Sequence, residues 1–446
     1  MGTPVAILIN KSSCGCRAFR FGCTGSLVVG GNFISERGLI FRHETKLVLL
    51  GRMPLEKALG EKVIFLPMSG LLIARPGRLS PKRLCGAPRP ELKKTAHTGI
   101  IPLARSVETG SLALLKNPIT IAGGGLAGLS LGVALQSRGV AVTLHEASTY
   151  PRHRVCGEFI SGVGDETLTA LGIADCLDDA TCLQSASWSD SVGRLAEMQA
   201  PGRGISRWKL DDHLQRQFLS LGGTLVTNSR IAAAFGVIWA AGRPRQPSPW
   251  LGLKCHARNL PLTHDLEMFT SPGGYIGLAK IEDGMVNICG LFKARPARGA
   301  KGSALLLTML RESSLPALAE RLEAADLDES SFCGVAGFQT GLQTGPAFSI
   351  GDAASMIPPF TGNGMSMAFE SAECALQPAL DYAAGRKSWL EAAEASTASQ
   401  SSRFKRRLTT ATILHHLLMN RAALRITRTL ARRKMMPFQT LLHLVR

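Results

Sequence analysis

The stretch NPITIAGGGLAGLSLGVALQSRGVAVTLHE, residues 117–146, predicts the fold of most of the chain. An apolar run at 119–122 is typical of a buried parallel strand, and it leads into residues 123–128, which fit the pattern G-x-G-x-x-G. A largely apolar helix follows up to Gly139, and residues 140–144 form a second apolar run. This order of strand, glycine turn, helix and strand is that of a dinucleotide-binding βαβ unit.

Each glycine of the motif has a separate task in such a unit. We predict that Gly123 makes the tight turn, that Gly125 lets the backbone approach a pyrophosphate, and that Gly128 lets the helix pack closely on the strand. The first helical residues, Leu126 and Ala127, would offer free N–H groups and the positive end of the helix dipole. The alternative interpretation is an ordinary tight βαβ turn without a ligand.

An acidic residue and a basic turn follow the second strand. Glu146 comes 23 residues after Gly123, where it is placed to accept hydrogen bonds from a ribose diol. Arg152, His153 and Arg154 lie just beyond it, where a diphosphate would need cations. The alternative for these three residues is a solvated basic turn.

A second informative stretch is AFSIGDAASMIPPFTGNGMSMAFESAE, residues 347–373. A strand at 348–350 meets Asp352, and after a proline-bearing turn the residues 361–364, Thr-Gly-Asn-Gly, open a long helix. The two helix N-termini are more than two hundred residues apart in sequence. Together they favour a large cofactor that is bound at both ends, although a glycine-rich helix start without a ligand is the alternative.

The composition divides the chain of 446 residues unevenly. Its formal net charge is +18, yet residues 1–116 alone hold 18 Lys and Arg against 6 Glu and no Asp. This segment shows no sustained periodicity, so we predict a basic N-terminal extension of low order. A basic leader, a targeting extension and translation from upstream of the true start all fit it. The functional chain is then expected to begin near Leu115.

The cysteines and apolar runs exclude several classes of protein. Eleven scattered cysteines with no C-x-x-C pair favour reduced thiols and a cytoplasmic location. Cys14, Cys16 and Cys23 lack a nearby fourth ligand, so we predict no metal site. No basic motif with interleaved aromatic residues suggests nucleic-acid binding. No segment reaches about 18 uninterrupted apolar residues, so a membrane-spanning helix is not expected.

The remaining segments complete a prediction of an α/β protein. Residues 203–221 read as a capped amphipathic helix, and residues 231–240 as a further apolar strand. Strand patterns at about 180–205 and 250–295 indicate an antiparallel sheet inserted into the nucleotide-binding segments, which is a natural wall for a substrate cavity. The predicted domains are therefore 1–116, then 117–402 with the inserted sheet, then a helical region at 403–446.

The C-terminal region is basic and amphipathic. Residues 403–434 hold ten Lys and Arg and no acidic residue. Four arginines recur at helical spacing on one face (Arg421, Arg425, Arg428, Arg432). Leu417, Leu424 and Ile426 contribute to the apolar side. Two interpretations remain: basic helices that cover the body of the protein, or a peripheral contact with an anionic membrane surface.

These stretches together resemble the FAD-dependent oxidoreductases of the p-hydroxybenzoate hydroxylase and geranylgeranyl reductase superfamily. The resemblance covers about residues 117–446 and rests on five segments: GGGLAG at 123–128 with Glu146, RVCGEFISG at 154–162, SRWKLDDHL at 206–214, GGYIGLAKIEDGMVNICGLF at 273–292 and GDAASMIPPFTGNGM at 351–365. It implies a Rossmann-like FAD-binding domain, an inserted antiparallel β-sheet substrate domain and a helical C-terminus.

The resemblance also implies which residues hold FAD. Gly123, Gly125, Gly128 and Glu146 would hold the ADP half, and Asp352 would contact the ribityl chain. Arg207 matches an arginine that commonly lies near FAD. The residues after the proline turn match a loop whose amides lie beside the flavin pyrimidine ring, where they stabilise negative charge (Thr361, Gly362, Asn363, Gly364, Met365).

Cys156 is the residue for which the resemblance implies a part in the chemistry. It belongs to a Cys-Gly element that faces the flavin in reductases of the geranylgeranyl type. A thiol beside the flavin could donate a proton or shape the pocket. The alternative is a small buried cysteine that only packs.

The implied activity is redox chemistry on an apolar or aromatic small molecule, with three interpretations open. A monooxygenase would insert oxygen, and a reductase would deliver hydride to a carbon–carbon double bond of an isoprenoid lipid, which the Cys-Gly element favours. Residues 240–242, Ala-Ala-Gly, replace an Asp-Gly motif linked to NAD(P)H, so direct use of that donor stays open. The short connection from 226 to 237 motivates the third interpretation, a degenerate flavin-binding protein without turnover. The Trp-Pro motif of flavin halogenases is absent.

Overall fold

The computed structural model describes four short strands between residues 26 and 49, and residues 117–446 except 244–246, 295–298, 338–339, 344–346, 434 and 446. The chain divides into two compact units, Met1–Leu103 and Ala104–Arg446. The first unit contains an antiparallel sheet of order β3-β2-β1-β4 (β1 Ser26–Val29, β2 Asn32–Ser35, β3 Ile40–Arg42, β4 Val48–Leu49). Cys14, Cys16 and Cys23 lie outside the described residues, and the low order expected of residues 1–116 stays a prediction.

In its described residues the second unit combines helices with the strands of three sheets, the smallest of which is the pair of Gly341–Leu342 with Ser355–Met356. In chain order its elements are β5 Ile119–Ala122, α1 Leu126–Gln136, β6 Val142–His145, β7 Phe159–Ile160, α2 Asp165–Leu171, β8 Thr181–Asp190, β9 Arg194–Gly204, α3 Arg207–Ser220, β10 Thr224–Val226, β11 Val237–Trp239, β12 Trp250–Arg258, β13 Leu266–Ser271, β14 Gly274–Lys280, β15 Val286–Lys293, α4 Gly302–Glu312, α5 Pro316–Glu323, β16 Asp326–Ala336, β17 Gly341–Leu342, β18 Ser355–Met356, α6 Gly364–Ala383, α7 Trp389–Met419, α8 Arg421–Arg432 and α9 Phe438–Leu444.

The nucleotide-binding layer is a parallel sheet of order β10-β6-β5-β11. Helix α1 is apolar on all sides because it is enclosed: α3 and α6 pack against it, and ten of its eleven residues are buried. The predicted order of strand, glycine turn, helix and strand is thus present, with the second strand at Val142–His145. The α/β fold class predicted from the sequence is confirmed.

The inserted sheet has eight strands in the order β16-β12-β15-β14-β13-β8-β9-β7. Its segments at 181–204 and 250–293 match the predicted ones. The sequence did not predict β16, which pairs with β12 at one edge, because its first residues are mostly polar and lack clear alternation. Helices α4 and α5 cover one face of this sheet, and they bury an aliphatic cluster against it (Leu253, Ile276, Ile288, Leu306, Leu310, Leu322).

Two segments differ from the sequence prediction. The strand predicted at 231–240 forms only at Val237–Trp239, since residues 227–236 have no strand partner and run largely exposed over the surface. Helix α7 starts before residue 403 and passes the predicted domain boundary without a break. Its N-cap Ser388 and Glu391 form a capping box, which accounts for the start at Trp389. No helix in the described part of the chain is long and apolar enough to cross a bilayer.

Candidate cofactor and substrate cavity

The glycine turn has the geometry that its three predicted tasks require. Gly123 adopts a positive φ of 109°, and an added Cβ there would lie 2.3 Å from the carbonyl oxygen of Ala240. A Cβ on Gly128 would lie 2.0 Å from the carbonyl oxygen of Gly123, so only glycine lets α1 approach the turn. A Cβ on Gly125 would meet no atom within 4 Å, because this residue faces open space.

Glu146 is buried beside this turn and braces it. Its Oε2 accepts a hydrogen bond from the Gly124 amide at 2.8 Å, and its Oε1 accepts one from the Ser148 amide at 3.1 Å. Arg152 Nη2 lies 3.3 Å from Oε1. Since a carboxylate offers about four acceptor sites, two amide bonds leave room for hydroxyl donors from a ligand.

The second helix start meets the first across the same cavity. Gly351 and Gly362 adopt positive φ values of 61° and 68°, which turn the chain before α6 begins at Gly364. Asp352 lies at this turn, where burial raises its pKa although Arg243 and Arg207 act to lower it. Within the part of the chain that the structure describes, its carboxylate has no hydrogen-bond partner.

A single cavity of about 1700 Å³ connects these parts. Most of the predicted cofactor residues line it (Gly123, Gly125, Leu126, Ala127, Glu146, Arg154, Arg207, Asp352, Thr361, Gly362, Gly364, Met365), as does Cys156. Gly128 lies beneath the turn. The Asn363 side chain is directed away from the cavity: its Oδ1 accepts a hydrogen bond from Ser161 at 3.2 Å, and its Nδ2 donates to the Val445 carbonyl. Asn363 therefore ties the turn to the C-terminal end instead of lining the cavity.

Asp211 holds two of the predicted arginines at the cavity wall. Arg207 Nε and Nη2 donate to its two carboxylate oxygens at 2.7 and 2.8 Å, and Arg154 Nε donates to Oδ2 at 2.9 Å. Burial lowers the pKa of Arg207, but the bond with Asp211 reverses this and raises the pKa above its usual range. Two guanidinium groups against one carboxylate leave a local positive charge that suits a diphosphate.

A buried ionic cluster lies behind this wall. Glu158 forms a hydrogen bond with His256 Nε2 at 2.6 Å and an ion pair with Lys254, whose Nζ lies 3.2 Å from Oε1. Lys254 Nζ also lies 3.1 Å from His153 Nδ1. Glu158 and Lys254 are both fully buried. Burial raises the pKa of Glu158, yet Lys254 and His256 outweigh it and the pKa falls below its usual value. Glu158 is therefore a charged carboxylate, and its burial in this form depends on the cation of Lys254.

Thiols occupy the sheet side of the cavity. Cys289 on β15 and Cys333 on β16 flank Lys254 in register on β12, and both line the cavity together with Cys156. Burial raises the pKa of Cys156, as it raises that of Cys333 to about 11. These groups are protonated at neutral pH, so each can donate a proton but is a poor nucleophile.

The far end of the cavity is apolar and aromatic. Trp188 on β8 and Phe438 on α9 meet edge to face with their ring centroids 5.1 Å apart. Met198 and Met268 from the sheet, and Leu414 from α7, line the same region. Aromatic and thioether side chains of this kind bind apolar rings through dispersion and edge contacts.

The first testable prediction concerns His153, which stacks on Trp208 with their ring centroids 4.6 Å apart. Burial and the nearby charges of Lys254 and His256 lower its pKa to about 4. Between about pH 6.5 and about pH 4 the unfolded chain binds a proton at this ring and the folded chain does not, so stability falls as pH falls through this window. His153→Gln is expected to flatten this slope, measured by urea unfolding across the window.

The matched control is His416→Gln, which removes an exposed imidazole from α7. The comparison isolates His153 because acidic groups elsewhere titrate equally in all three proteins. A His153→Gln variant whose unfolding free energy keeps the wild-type slope would contradict the prediction.

Comparison with solved structures places this geometry in a known fold, although no family model and no curated protein matches the sequence. PqsL of Pseudomonas aeruginosa in complex with 2-aminobenzoylacetate superposes with a TM-score of 0.56 at 17% identity, over 70% of this chain and 99% of that one. The p-nitrophenol 4-monooxygenase PnpA of Pseudomonas putida DLL-E4 gives 0.59 at 13% identity, over 74% and 96%. The flavin-dependent brominase Bmp2 gives 0.58 at 16%, over 74% and 93%.

The chain has the fold of the FAD-dependent monooxygenases. The sequence resemblance described above implied the same fold. The residues present fit an FAD. Two helix N-termini without side-chain caps open on the cavity, Gly125 leaves room beside one of them, and the Asp352 carboxylate faces the cavity near the other.

Sequence reasoning missed three residues of the site. Asp211, Lys254 and His256 are buried and charged or polar, and none was proposed as part of it. A signal was present for two of them. Lys254 and His256 lie two residues apart within the strand WLGLKCHAR, whose other residues before Arg258 are apolar or cysteine. They therefore face the same side of the sheet, and a buried cation there needs a partner.

Proposed function

We propose that the protein is an FAD-dependent oxidoreductase of the monooxygenase type that acts on an apolar or aromatic small molecule. The observation that carries this proposal is the single cavity that joins both helix N-termini to the aromatic face of the inserted sheet. Its volume of about 1700 Å³ exceeds the roughly 300–1,000 Å³ typical of one small ligand. It therefore has room for a cofactor and a substrate together.

The chain's own residues would bind and orient both partners. Bound FAD would supply the transfer of electrons, which no side chain here provides. The amides at the start of α1, with Arg154 and Arg207, would hold the diphosphate, and Asp352 would accept a hydrogen bond from a hydroxylated chain. The amides at 361–365 would stabilise negative charge at the opposite end. The aromatic pair Trp188 and Phe438 would orient the substrate and exclude water.

Cys156 is proposed as the proton donor at the junction of the two halves. Its thiol lines the cavity and is kept protonated by burial, while the Glu158 amide lies 3.5 Å from its Sγ. We expect Cys156→Ala to keep its bound flavin and to lose at least about 100-fold in kcat, the usual contribution of a general acid. Steady-state kinetics and the flavin-to-protein ratio measure both quantities.

The control for this variant is Cys182→Ala, which removes an exposed thiol on β8 that does not line the cavity. It is expected to retain wild-type kcat. If Cys156→Ala also retains wild-type kcat, Cys156 only packs, and the proton donor lies elsewhere.

Two other functions each rest on a specific observation. The Cys-Gly element at 156–157, which lines the cavity, supports a reductase that acts on a carbon–carbon double bond of an isoprenoid lipid. The exposed connection at 227–236, without the usual hairpin strands, supports a flavin-binding protein without turnover. NADPH is the donor we propose for either enzyme, although Ala241 stands where an Asp-Gly motif is usual.

The deciding experiment is the visible spectrum of the purified full chain reconstituted with FAD, before and after anaerobic addition of NADPH. A flavin spectrum that NADPH bleaches supports an enzyme with this donor, and an unbleached one points to another donor. Substrate-dependent oxygen uptake with labelled oxygen in the product supports the monooxygenase, whereas a reduced product without uptake supports the reductase. A folded protein that binds no flavin would contradict the proposal.

A further inference from the structure

The C-terminal helices carry two kinds of basic residue. No Asp or Glu follows Glu394 in the sequence. Arg403 and Arg407 pair with acidic residues of α6, and Arg428 pairs with Asp190 of the inserted sheet. A second set points into solvent and has no carboxylate within 4 Å among the described residues (Lys405, Arg406, Arg425, Arg433). The first set explains how the helices pack, and the second set remains without a structural role.

Large apolar side chains lie exposed beside this second set. Ile413 and Leu417 lie four residues apart on the outer face of α7, on the turns that follow Arg406. On α8 and just beyond it, Ile426 and Met435 are 62% and 64% exposed. The sequence pattern placed Leu417, Leu424 and Ile426 on the apolar side of the helices, and in the structure only Leu424 of the three is buried.

We call these four basic and four apolar side chains the C-terminal face. Exposure of aliphatic groups to water costs free energy. Beside unpaired cations, such groups match the two regions of an anionic bilayer surface, which are the charged headgroups and the apolar acyl chains. The aliphatic groups would enter the acyl boundary, and the cations would meet the lipid phosphates. Nucleic acid would satisfy the cations alone.

The reverse side of the same helices walls the cavity. Leu414 and Leu418 of α7, Thr427 of α8, and Phe438 and Leu441 of α9 line it. Leu417 both lines the cavity and is half exposed, so the C-terminal face borders the route into the cavity.

We propose that the C-terminal face docks on anionic membrane surfaces, and that the cavity takes up a lipophilic substrate from the bilayer there. The docking stands on the residues of the face alone. The statement about the substrate rests on the proposed function, and it narrows the substrate class to apolar molecules that partition into membranes.

The experiment is co-sedimentation of the full chain, without flavin or substrate, with phosphatidylcholine vesicles that contain or lack phosphatidylserine. We expect binding to the anionic vesicles that weakens as salt increases. Since each Lys or Arg near an anionic surface contributes on the order of fivefold in affinity, the double variant Arg425→Gln and Arg433→Gln should bind about 25-fold more weakly. Replacing Ile413 and Ile426 by serine should also weaken binding.

Matched controls lie away from this face. Arg258→Gln removes an exposed cation from β12, and Phe235→Ser removes an exposed ring from the connection at 227–236. Both are expected to bind vesicles as the wild type does. Circular dichroism of each variant shows whether it is folded.

Three outcomes would overturn the proposal. In the first, the wild-type chain does not bind anionic vesicles. In the second, it binds, but the variants of the C-terminal face bind equally well, which assigns the contact to the basic residues before 117. In the third, vesicle binding is absent and the serine variants abolish a dimer of the wild-type chain, which assigns the face to a second copy. Vesicle binding by a chain that takes up no flavin overturns the proposed function and leaves the docking intact.

Discussion

Lys254→Met is expected to lower the free energy of unfolding by about 3–5 kcal/mol, because it leaves a buried carboxylate without its cation. Lys254 and Glu158 are both fully buried, with Nζ 3.2 Å from Oε1, so water cannot replace the lost charge. His256 would remain as a hydrogen-bond partner of Glu158, with its Nε2 2.6 Å from Oε2. Urea unfolding followed by circular dichroism at neutral pH measures the effect.

Lys280→Met is the matched control on β14 of the same sheet, two strands away from Lys254. Lys280 Nζ lies 2.9 Å from Asp265, but this pair is partly open to solvent, so the loss should be smaller than for Lys254→Met. The double variant Lys254→Met and Glu158→Gln should recover part of the loss, since it removes the carboxylate as well. A loss of less than about 1 kcal/mol in Lys254→Met would show that the cluster tolerates an uncompensated carboxylate, and that the charged form described above is wrong.

Gly125→Val is expected to weaken FAD binding by about 10- to 100-fold while the apoprotein stays folded. The backbone of Gly125, with φ −83° and ψ −174°, suits a β-branched residue, and an added Cβ would meet no protein atom within 4 Å. The side chain would instead fill the space proposed for the pyrophosphate, at a cost of about 1–3 kcal/mol in binding. Quenching of flavin fluorescence on titration with apoprotein measures the affinity.

Gly128→Ala provides the opposite case in the same motif. Its Cβ would lie 2.0 Å from the Gly123 carbonyl oxygen, so α1 must move and stability should fall by about 3 kcal/mol or more. Gly125 is therefore expected to control the affinity for FAD, and Gly128 the stability of the protein. Gly125→Val protein that binds FAD as tightly as the wild type does would separate this turn from the cofactor.

Short sequence patterns predicted those features of the structure that depend on neighbouring residues alone. The tight contacts at Gly123 and Gly128 and the open space at Gly125 follow from the sterics of one turn. The part of these glycines in holding a cofactor stays a prediction. The helix starts follow from similar short-range rules. Asn363 fits the glycine-rich pattern equally well, yet its side chain turns away to bond with Ser161 and Val445, which lie far away in sequence.

The buried charges could not be predicted because their partners are distant in sequence. Glu158 meets Lys254 and His256 across about a hundred residues, and Asp211 reaches back to Arg154. Each pair joins elements that only the tertiary fold brings together. A charged residue in an apolar strand indicates that a partner exists, but not which residue it is.

By itself, the sequence determined the fold class, the βαβ unit with its glycine-rich turn, and the basic character of the C-terminal helices, because periodicity, turn sterics and charge are properties of neighbouring residues. Only the tertiary structure decided that both helix starts share one cavity, that Asp211 joins Arg154 to Arg207, that Lys254 stabilises a buried Glu158, and which basic residues stay unpaired. These depend on packing between distant segments, where burial makes each charge require a specific partner.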